Sequence, residues 1–244
     1  MQRYFVEISY NGSAYFGWQC QPNQISVQEE IESAFAKLNS NVPVKVVGCG
    51  RTDAGVHAHH YVLHVDFQKF ENLDQLIFKL NRILPEGIVV HTVKEVHLDF
   101  HARFHAVSRT YRYFINSKKN PFKIGLSWTF TQKLNFEAMN EAGQFLLGTK
   151  DFTSFSKVNT DAKTNICTVS KAHWVKVDDE NCYFEITADR FLRNMVRATV
   201  GTLLEIGQGK MIPDSIVTIL EAKDRGEAAI SVPAHGLYLW EVCY

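Results

Sequence analysis

YFVEISY (residues 4–10) places Tyr4, Val6, Ile8 and Tyr10 on one face and Phe5, Glu7 and Ser9 on the other, the period-two pattern of a strand buried on one side. The next stretch, about residues 26–39, changes to helical spacing. Ser26 and Glu29 form an S-x-x-E capping box, and Val27, Ile31, Ala34, Phe35 and Leu38 form the apolar stripe behind it. Strands are predicted at 43–48 and 61–67, a helix at about 73–84 that ends before Pro85, and a strand at 88–96. The order repeats in the second half. A strand at 109–115 precedes a helix at about 136–147, strands at 166–177 and 182–188, a long helix at 190–206, a short one after Pro213, and a closing strand at 237–242. Each half reads strand–helix–strand–strand–helix–strand, the split βαβ order. The sequence therefore predicts an α+β protein of two ferredoxin-like (RRM-like) halves, residues 1–100 and 101–244, each an antiparallel sheet with helices on one face.

Composition fits that reading. The 244 residues are 45% hydrophobic and 21% charged, which excludes a disordered chain and leaves enough apolar mass for one large core or two ordinary ones. No apolar stretch approaches the ~20 residues of a membrane helix, and the alternating N-terminus does not resemble a signal peptide. Five widely spaced cysteines, Cys20, Cys49, Cys167, Cys182 and Cys243, without a C-x-x-C pair, read as reduced thiols in a cytoplasmic protein.

Net charge is zero, yet the charges are unevenly placed. From Phe100 to Phe136 there is no acidic residue, while Arg103, Arg109, Arg112, Lys118, Lys119, Lys123 and Lys133 alternate with Phe104, Tyr111, Tyr113, Phe114, Phe122, Trp128 and Phe130. Cations neutralise phosphates and aromatic faces stack on unpaired bases, so this stretch suits a nucleic acid. The aromatics taken alone fit a strand core at least as well.

Between the predicted strands at 43–48 and 61–67 runs Gly48-Cys49-Gly50-Arg51-Thr52-Asp53-Ala54-Gly55-Val56-His57-Ala58. Three glycines in eight residues mark a loop with unusual backbone angles or a close approach. It offers one carboxylate, Asp53, beside one guanidinium, Arg51, which favours the ionised acid. Those residue types fit a nucleophile or base, and equally a structural Arg–Asp pair. No P-loop, dinucleotide fingerprint or serine elbow is present. His57, His59, His60 and His64 lack the spacing of a helical zinc site, so no metal is expected.

GRTDAGVHA resembles the signature of the tRNA pseudouridine synthase A family. The resemblance extends along the chain through YFVEISYNGSAYFGWQ, Ser108-Arg109-Thr110-Tyr111-Arg112-Tyr113, Asp151-Phe152-Thr153-Ser154-Phe155, Phe191-Leu192-Arg193-Asn194-Met195-Val196-Arg197 and Pro233-Ala234-His235-Gly236-Leu237-Tyr238-Leu239. It implies paired ferredoxin-like halves meeting at a central catalytic cleft, and conversion of uridine to pseudouridine at positions 38–40 of the tRNA anticodon stem-loop. It also implies Asp53 as catalytic nucleophile and Arg51 holding it. Tyr111 would stack on the target base, and Arg197, on the helix edge it shares with Arg190 and Arg193, would face Asp53 or a phosphate. The partners implied are tRNA and a second copy in a homodimer, with no cofactor, nucleotide or membrane. The chain departs from the family's pattern at His60-Tyr61, where Gly-Gln is usual, and at Lys150, where a histidine commonly precedes D-F. A non-catalytic RNA-binding protein would need the basic aromatic strand but not Asp53, and it lacks the RNP1-type pattern here. A small-substrate hydrolase would need a carboxylate but not the acid-free stretch.

Overall fold

Ten strands and five α-helices form among the described residues, 1–158 and 163–244, of the computed structural model. In chain order they are β1 (Gln2–Tyr10), α1 (Val27–Leu38), β2 (Val46–Gly48), β3 (His57–Phe67), α2 (Leu73–Ile83), β4 (Ile88–Val96), β5 (Ser108–Asn116), β6 (Trp128–Thr129), α3 (Phe136–Gln144), β7 (Gly148–Asp151), β8 (Ile166–Lys176), β9 (Asn181–Ala188), α4 (Met195–Gly207), α5 (Ser215–Ala222) and β10 (Leu237–Cys243). The class is α+β with mostly antiparallel pairing. Two pairs are parallel, β10 with β3 and β6 with β5, so the expectation of purely antiparallel sheets is corrected at these strands. The chain divides into two compact units, Met1–Val107 with Tyr238–Tyr244, and Ser108–Leu237. Residues 101–107 and 238–244, expected in the second half, thus belong with the first unit. Their hydrogen bonds and strand pairing explain it. The Val107 amide donates to the Cys243 carbonyl at 2.8 Å, the Tyr244 hydroxyl donates to the Ala102 carbonyl at 2.6 Å, and Tyr238 pairs with His57.

In the first unit β1 lies between β3 and β4, and β2 pairs with β3, all antiparallel. Tyr4, Val6 and Ile8 are fully buried, and α1 and α2 cover that face with Val27, Ile31, Ala34, Phe35, Leu76 and Leu80. The capping box holds in its first part: Ser26 Oγ accepts from the Glu29 amide at 3.2 Å. β2 begins at Val46, later than expected, because Pro43 has no amide for a ladder. β3 begins at His57 and is buried on both sides from Tyr61 to Val65. Its second side is covered by residues 97–105. There the Ala102 amide donates to His64 Nδ1 at 3.1 Å, and the His101 ring lies 4.9 Å from that of His64.

In the second unit β9 lies between β5 and β8, β7 extends the sheet beyond β8, and α3 packs on α4 and β8. Nearly every side chain of α4 is buried. It starts at Met195, not at residue 190, because Asn194 takes a left-handed conformation (φ 68°) that an α-helix cannot include. Arg190 and Arg193 therefore precede the helix, and the arginine edge expected on it reduces to Arg197. Asp151-Phe152-Thr153-Ser154-Phe155 forms a tight turn. Asp151 Oδ1 accepts from the Thr153 amide at 3.0 Å, Phe152 and Phe155 are buried, and Ser154 Oγ donates to the Ile219 carbonyl of α5 at 2.5 Å. Pro213 sits in the turn before Ser215, and α5 follows it as expected.

Burial, reinforced by the positive Arg3 and His101 nearby, pushes the His64 imidazole down from 6.5 to about 4. Between those values the unfolded chain takes up a proton that folded His64 refuses, so stability falls as pH drops from 6.5 towards 4. The urea midpoint should fall across this window, and by less in His64→Asn, which keeps an acceptor for the Ala102 amide but cannot titrate. Equal falls in both proteins would exclude His64 as the source.

Candidate active site

The Asp53 loop leaves β2 at Gly48 and enters β3 at His57, and neighbouring segments of the first unit fix its path. The Cys49 amide donates to the Val62 carbonyl at 2.8 Å, and the Trp18 amide to the Thr52 carbonyl at 3.3 Å. The Gly55 amide donates to the Tyr15 carbonyl at 3.2 Å, and the Val56 amide to the Asp53 carbonyl, closing the turn, also at 3.2 Å. Two tyrosine hydroxyls join from the strands: Tyr10 Oη lies 2.8 Å from Thr52 Oγ1, and Tyr61 Oη donates to the Gly50 carbonyl at 2.5 Å. His57, buried beneath the loop, accepts the Gly12 amide at Nδ1 (3.0 Å) and stacks on Tyr238 with centroids 4.4 Å apart.

The approach of the 12–18 segment to this loop requires glycine. A Cβ at Gly12 would lie 2.0 Å from the Val56 carbonyl oxygen, and one at Gly17, where φ is +89°, would lie 2.3 Å from the Thr52 oxygen. Within this frame Asp53 is half-buried and Arg51 is exposed. The expected Arg51–Asp53 ion pair does not form among the described residues, because Arg51 turns to solvent. The neighbouring histidines also have structural partners. His59 stacks on Trp240 at 4.0 Å, and His60 Nδ1 accepts the Val242 amide at 3.1 Å.

In the second unit Tyr111 sits on β5 opposite Ile186, half-buried, with the edge of Phe191 against its ring at 5.0 Å and 83°. Arg112, the next residue, points to the other face. There it meets Glu185 directly across the ladder, Nε to Oε2 2.5 Å, and lies 4.6 Å from the Tyr183 ring. Lys171 Nζ reaches the other oxygen of Glu185 at 2.6 Å. Burial pushes the Glu185 carboxyl up, but the hydrogen bonds from Lys171 and Arg112 outweigh it and hold the acid below its usual range. Arg109 donates to the Asp189 carbonyl at 2.9 Å. Arg197, in the first turn of α4, donates through Nε to the Val232 carbonyl at 2.8 Å. Tyr113 is fully buried, donates to the Pro233 carbonyl at 2.9 Å, and has its hydroxyl pKa pushed far up by that burial. The aromatics of the acid-free stretch thus divide. Tyr113 belongs to the core, whereas Phe104 and Phe122 are 72% and 89% exposed.

Asp53 and Arg51 share one loop of the first unit, and Tyr111 and Arg197 belong to the second. Sequence reasoning missed the residues that hold the loop: Tyr10, Trp18, Thr52 and Tyr61. Gly12 and Gly17 in YNGSAYFGWQ were the available signal, since both mark a close approach of backbone. Gly17→Ala should lower the unfolding free energy by about 1–3 kcal/mol through strain and clash. Gly50→Ala, where nothing lies within 4 Å of the place the new methyl would take, should change it by no more than about 0.5 kcal/mol. Chemical denaturation of the two variants checks the contrast, and equal losses would refute it.

Comparison with known proteins places this geometry in a family. The family model described as tRNA pseudouridine synthase matches residues 7–105 and 142–244. The tRNA pseudouridine synthase A of Parabacteroides distasonis is 50% identical over 247 residues, covering all of this chain and 96% of its own length. That of Porphyromonas gingivalis is 48% identical, with all of this chain and 98% of the relative covered. The Bacillus subtilis protein of the same name is 42% identical over 240 residues, 97% of each chain. The chain belongs to the tRNA pseudouridine synthase family.

Proposed function

We propose that this chain converts uridine to pseudouridine at positions 38–40 in the anticodon stem-loop of tRNA, with Asp53 as the nucleophile. The observation that carries the reading is a half-buried carboxylate on a loop whose backbone is fixed from three segments, in a chain matched over its whole length by tRNA pseudouridine synthases. The reaction breaks the bond between the ribose C1′ and N1 of the base and forms one between C1′ and C5. N1 gains a proton and C5 loses one. Atoms and electrons balance within the substrate, so the chemistry calls for no redox partner, nucleotide or metal.

Positioning therefore supplies most of what the protein contributes. Asp53 acts on the uridine, and Tyr111 stacks on its base and accepts the C5 proton as general base. Arg51 is exposed and bears on the substrate side, and Arg197 adds positive charge to the binding of the nucleotide. In this reading the first unit, Met1–Val107 with Tyr238–Tyr244, is a ferredoxin-like half carrying the catalytic loop, and the second, Ser108–Leu237, is another carrying the basic aromatic strand and the helix with Arg197. A stem uridine must leave its stack to meet the carboxylate, at a cost of a few kcal/mol that is least near a loop, which suits positions 38–40. The working form is a cytoplasmic homodimer, with Asp53 and Tyr111 of one active site supplied by one chain and the tRNA bridging both copies.

Asp53→Asn keeps the shape of the side chain and removes its charge. Pseudouridine formation in unmodified tRNA transcripts should fall by about a hundredfold or more while tRNA binding persists. Near-normal product in that variant would refute the role of Asp53, and product mapped outside 38–40 would refute the positional assignment. Light scattering at micromolar protein should give about twice 27.9 kDa. A fully active species of only 27.9 kDa would sink the dimer.

A further inference from the structure

We propose that Tyr61 is a positioning residue for Asp53, its hydroxyl fixing the Gly50 peptide and, through it, the reacting loop. The proposal rests on the reading of Asp53 as the reacting carboxylate. Position 61 is where the chain departs from the family's usual Gly-Gln, and the sequence alone assigns the tyrosine no task.

Its surroundings leave the ring no freedom. Tyr61 is fully buried on β3, stacked on Trp18 with centroids 4.1 Å apart and planes at 26°, and tilted against Tyr10 at 5.6 Å. Gly48 closes the box from the strand side. A Cβ there would lie 2.0 Å from Tyr61 Oη and 2.6 Å from Trp18 Cε2, so the phenol occupies space that only a glycine leaves. A ring held by Trp18, Tyr10 and the space over Gly48 keeps its oxygen in one place, and the hydroxyl meets the Gly50 carbonyl at 2.5 Å.

Nothing lies within 4 Å of the Cβ position of Gly50, so no side-chain packing bears on the peptide from that side. Two residues on, Tyr10 grips Thr52 through a second hydroxyl at 2.8 Å. Tyrosines from adjacent strands thus fasten the loop on both sides of Arg51, the second tie one residue before Asp53. Releasing the first lets a glycine peptide rotate, and the carboxylate downstream loses its fixed approach. Displacements of this size cost rate far more than they cost binding, because affinity for a large RNA is spread over many contacts.

Tyr61→Phe removes the hydroxyl and keeps the stack on Trp18. The control is Tyr4→Phe. It removes another buried tyrosine's hydroxyl from the same unit, one that donates to the Gln68 carbonyl and accepts the Phe70 amide, away from the loop. Single-turnover pseudouridine formation at saturating tRNA should slow about tenfold in Tyr61→Phe, with the Kd for tRNA unchanged. Tyr4→Phe should keep the wild-type rate whatever it loses in melting temperature. The proposal is overturned if Tyr61→Phe keeps the wild-type rate, if its loss only tracks the unfolded fraction, if the change falls on Kd, or if Tyr4→Phe slows equally. Asp53→Asn made in parallel separates the two readings. An active Asp53→Asn removes the nucleophile assignment itself, whereas an inactive Asp53→Asn beside a full-rate Tyr61→Phe removes only the role of Tyr61.

Discussion

Gly48, Gly50 and Gly55 leave the loop carrying Asp53 with little stiffness of its own, so its shape has to be imposed by what packs against it. The imposition is a chain of contacts. The first amides of α1 reach back to the 12–18 segment, Val27 to the Gly17 carbonyl at 3.2 Å and Gln28 to that of Trp18 at 3.0 Å, using donors that a helix start cannot satisfy internally. This places Trp18, Trp18 places Tyr61, and the β1–β3 register sets Tyr10 beside it. Helix start, strand register and loop geometry are therefore one mechanical unit, and the glycines at 12 and 17 are the gaps through which its parts come close enough to bond.

The second unit solves a different problem. Glu185 is 5% exposed, and an ionised carboxylate there would be costly alone. Arg112 across the ladder and Lys171 on β8 each take one of its oxygens, so the charge is satisfied at both ends. Arg112 and Tyr111 point to opposite faces of β5. The ion pairs fix one face of the strand and leave Tyr111 on the other. The turn Asp151–Phe155 ties α5 to this sheet, and Gly201, whose missing side chain lets the Ile230 carbonyl approach, seats the segment at residue 230 on α4. Asp151-Phe152-Thr153-Ser154-Phe155 thus belongs to construction.

Periodicity made most elements legible because their burial is one-sided. β1, α1, α2 and β4 each present one apolar face, and their limits fall within two residues of those read from sequence. α4 was mislocated at its start for a physical reason. Its apolar residues surround the whole axis, so no stripe marks where it begins, and the left-handed Asn194 has no unambiguous signature. The short β6 and β7 escaped because two and four residues are too few to show a period. The loop that carries Asp53 was legible as a loop from its glycines. Its supports were not, because a buried tyrosine that holds a loop and a buried tyrosine that fills a core look alike until the register brings one hydroxyl to a carbonyl.

The charges of residues 100–136 carry the same lesson further. Seven cations without an acid read as a stretch suited to a nucleic acid, but the fold spends them differently. Arg112 is neutralised by buried Glu185, and Lys118 pairs at 2.7 Å with Glu180, an exposed partner that salt and water screen. Arg109 donates to the Asp189 carbonyl at 2.9 Å, which orients the guanidinium. A hydrogen bond to a neutral acceptor thus aims a cation without cancelling it, whereas an ion pair does both. On the strand that carries Tyr111, the Arg109 guanidinium is aimed in this way. Its direction is set by the Asp189 backbone at the end of β9, two residues before the Phe191 ring that flanks Tyr111.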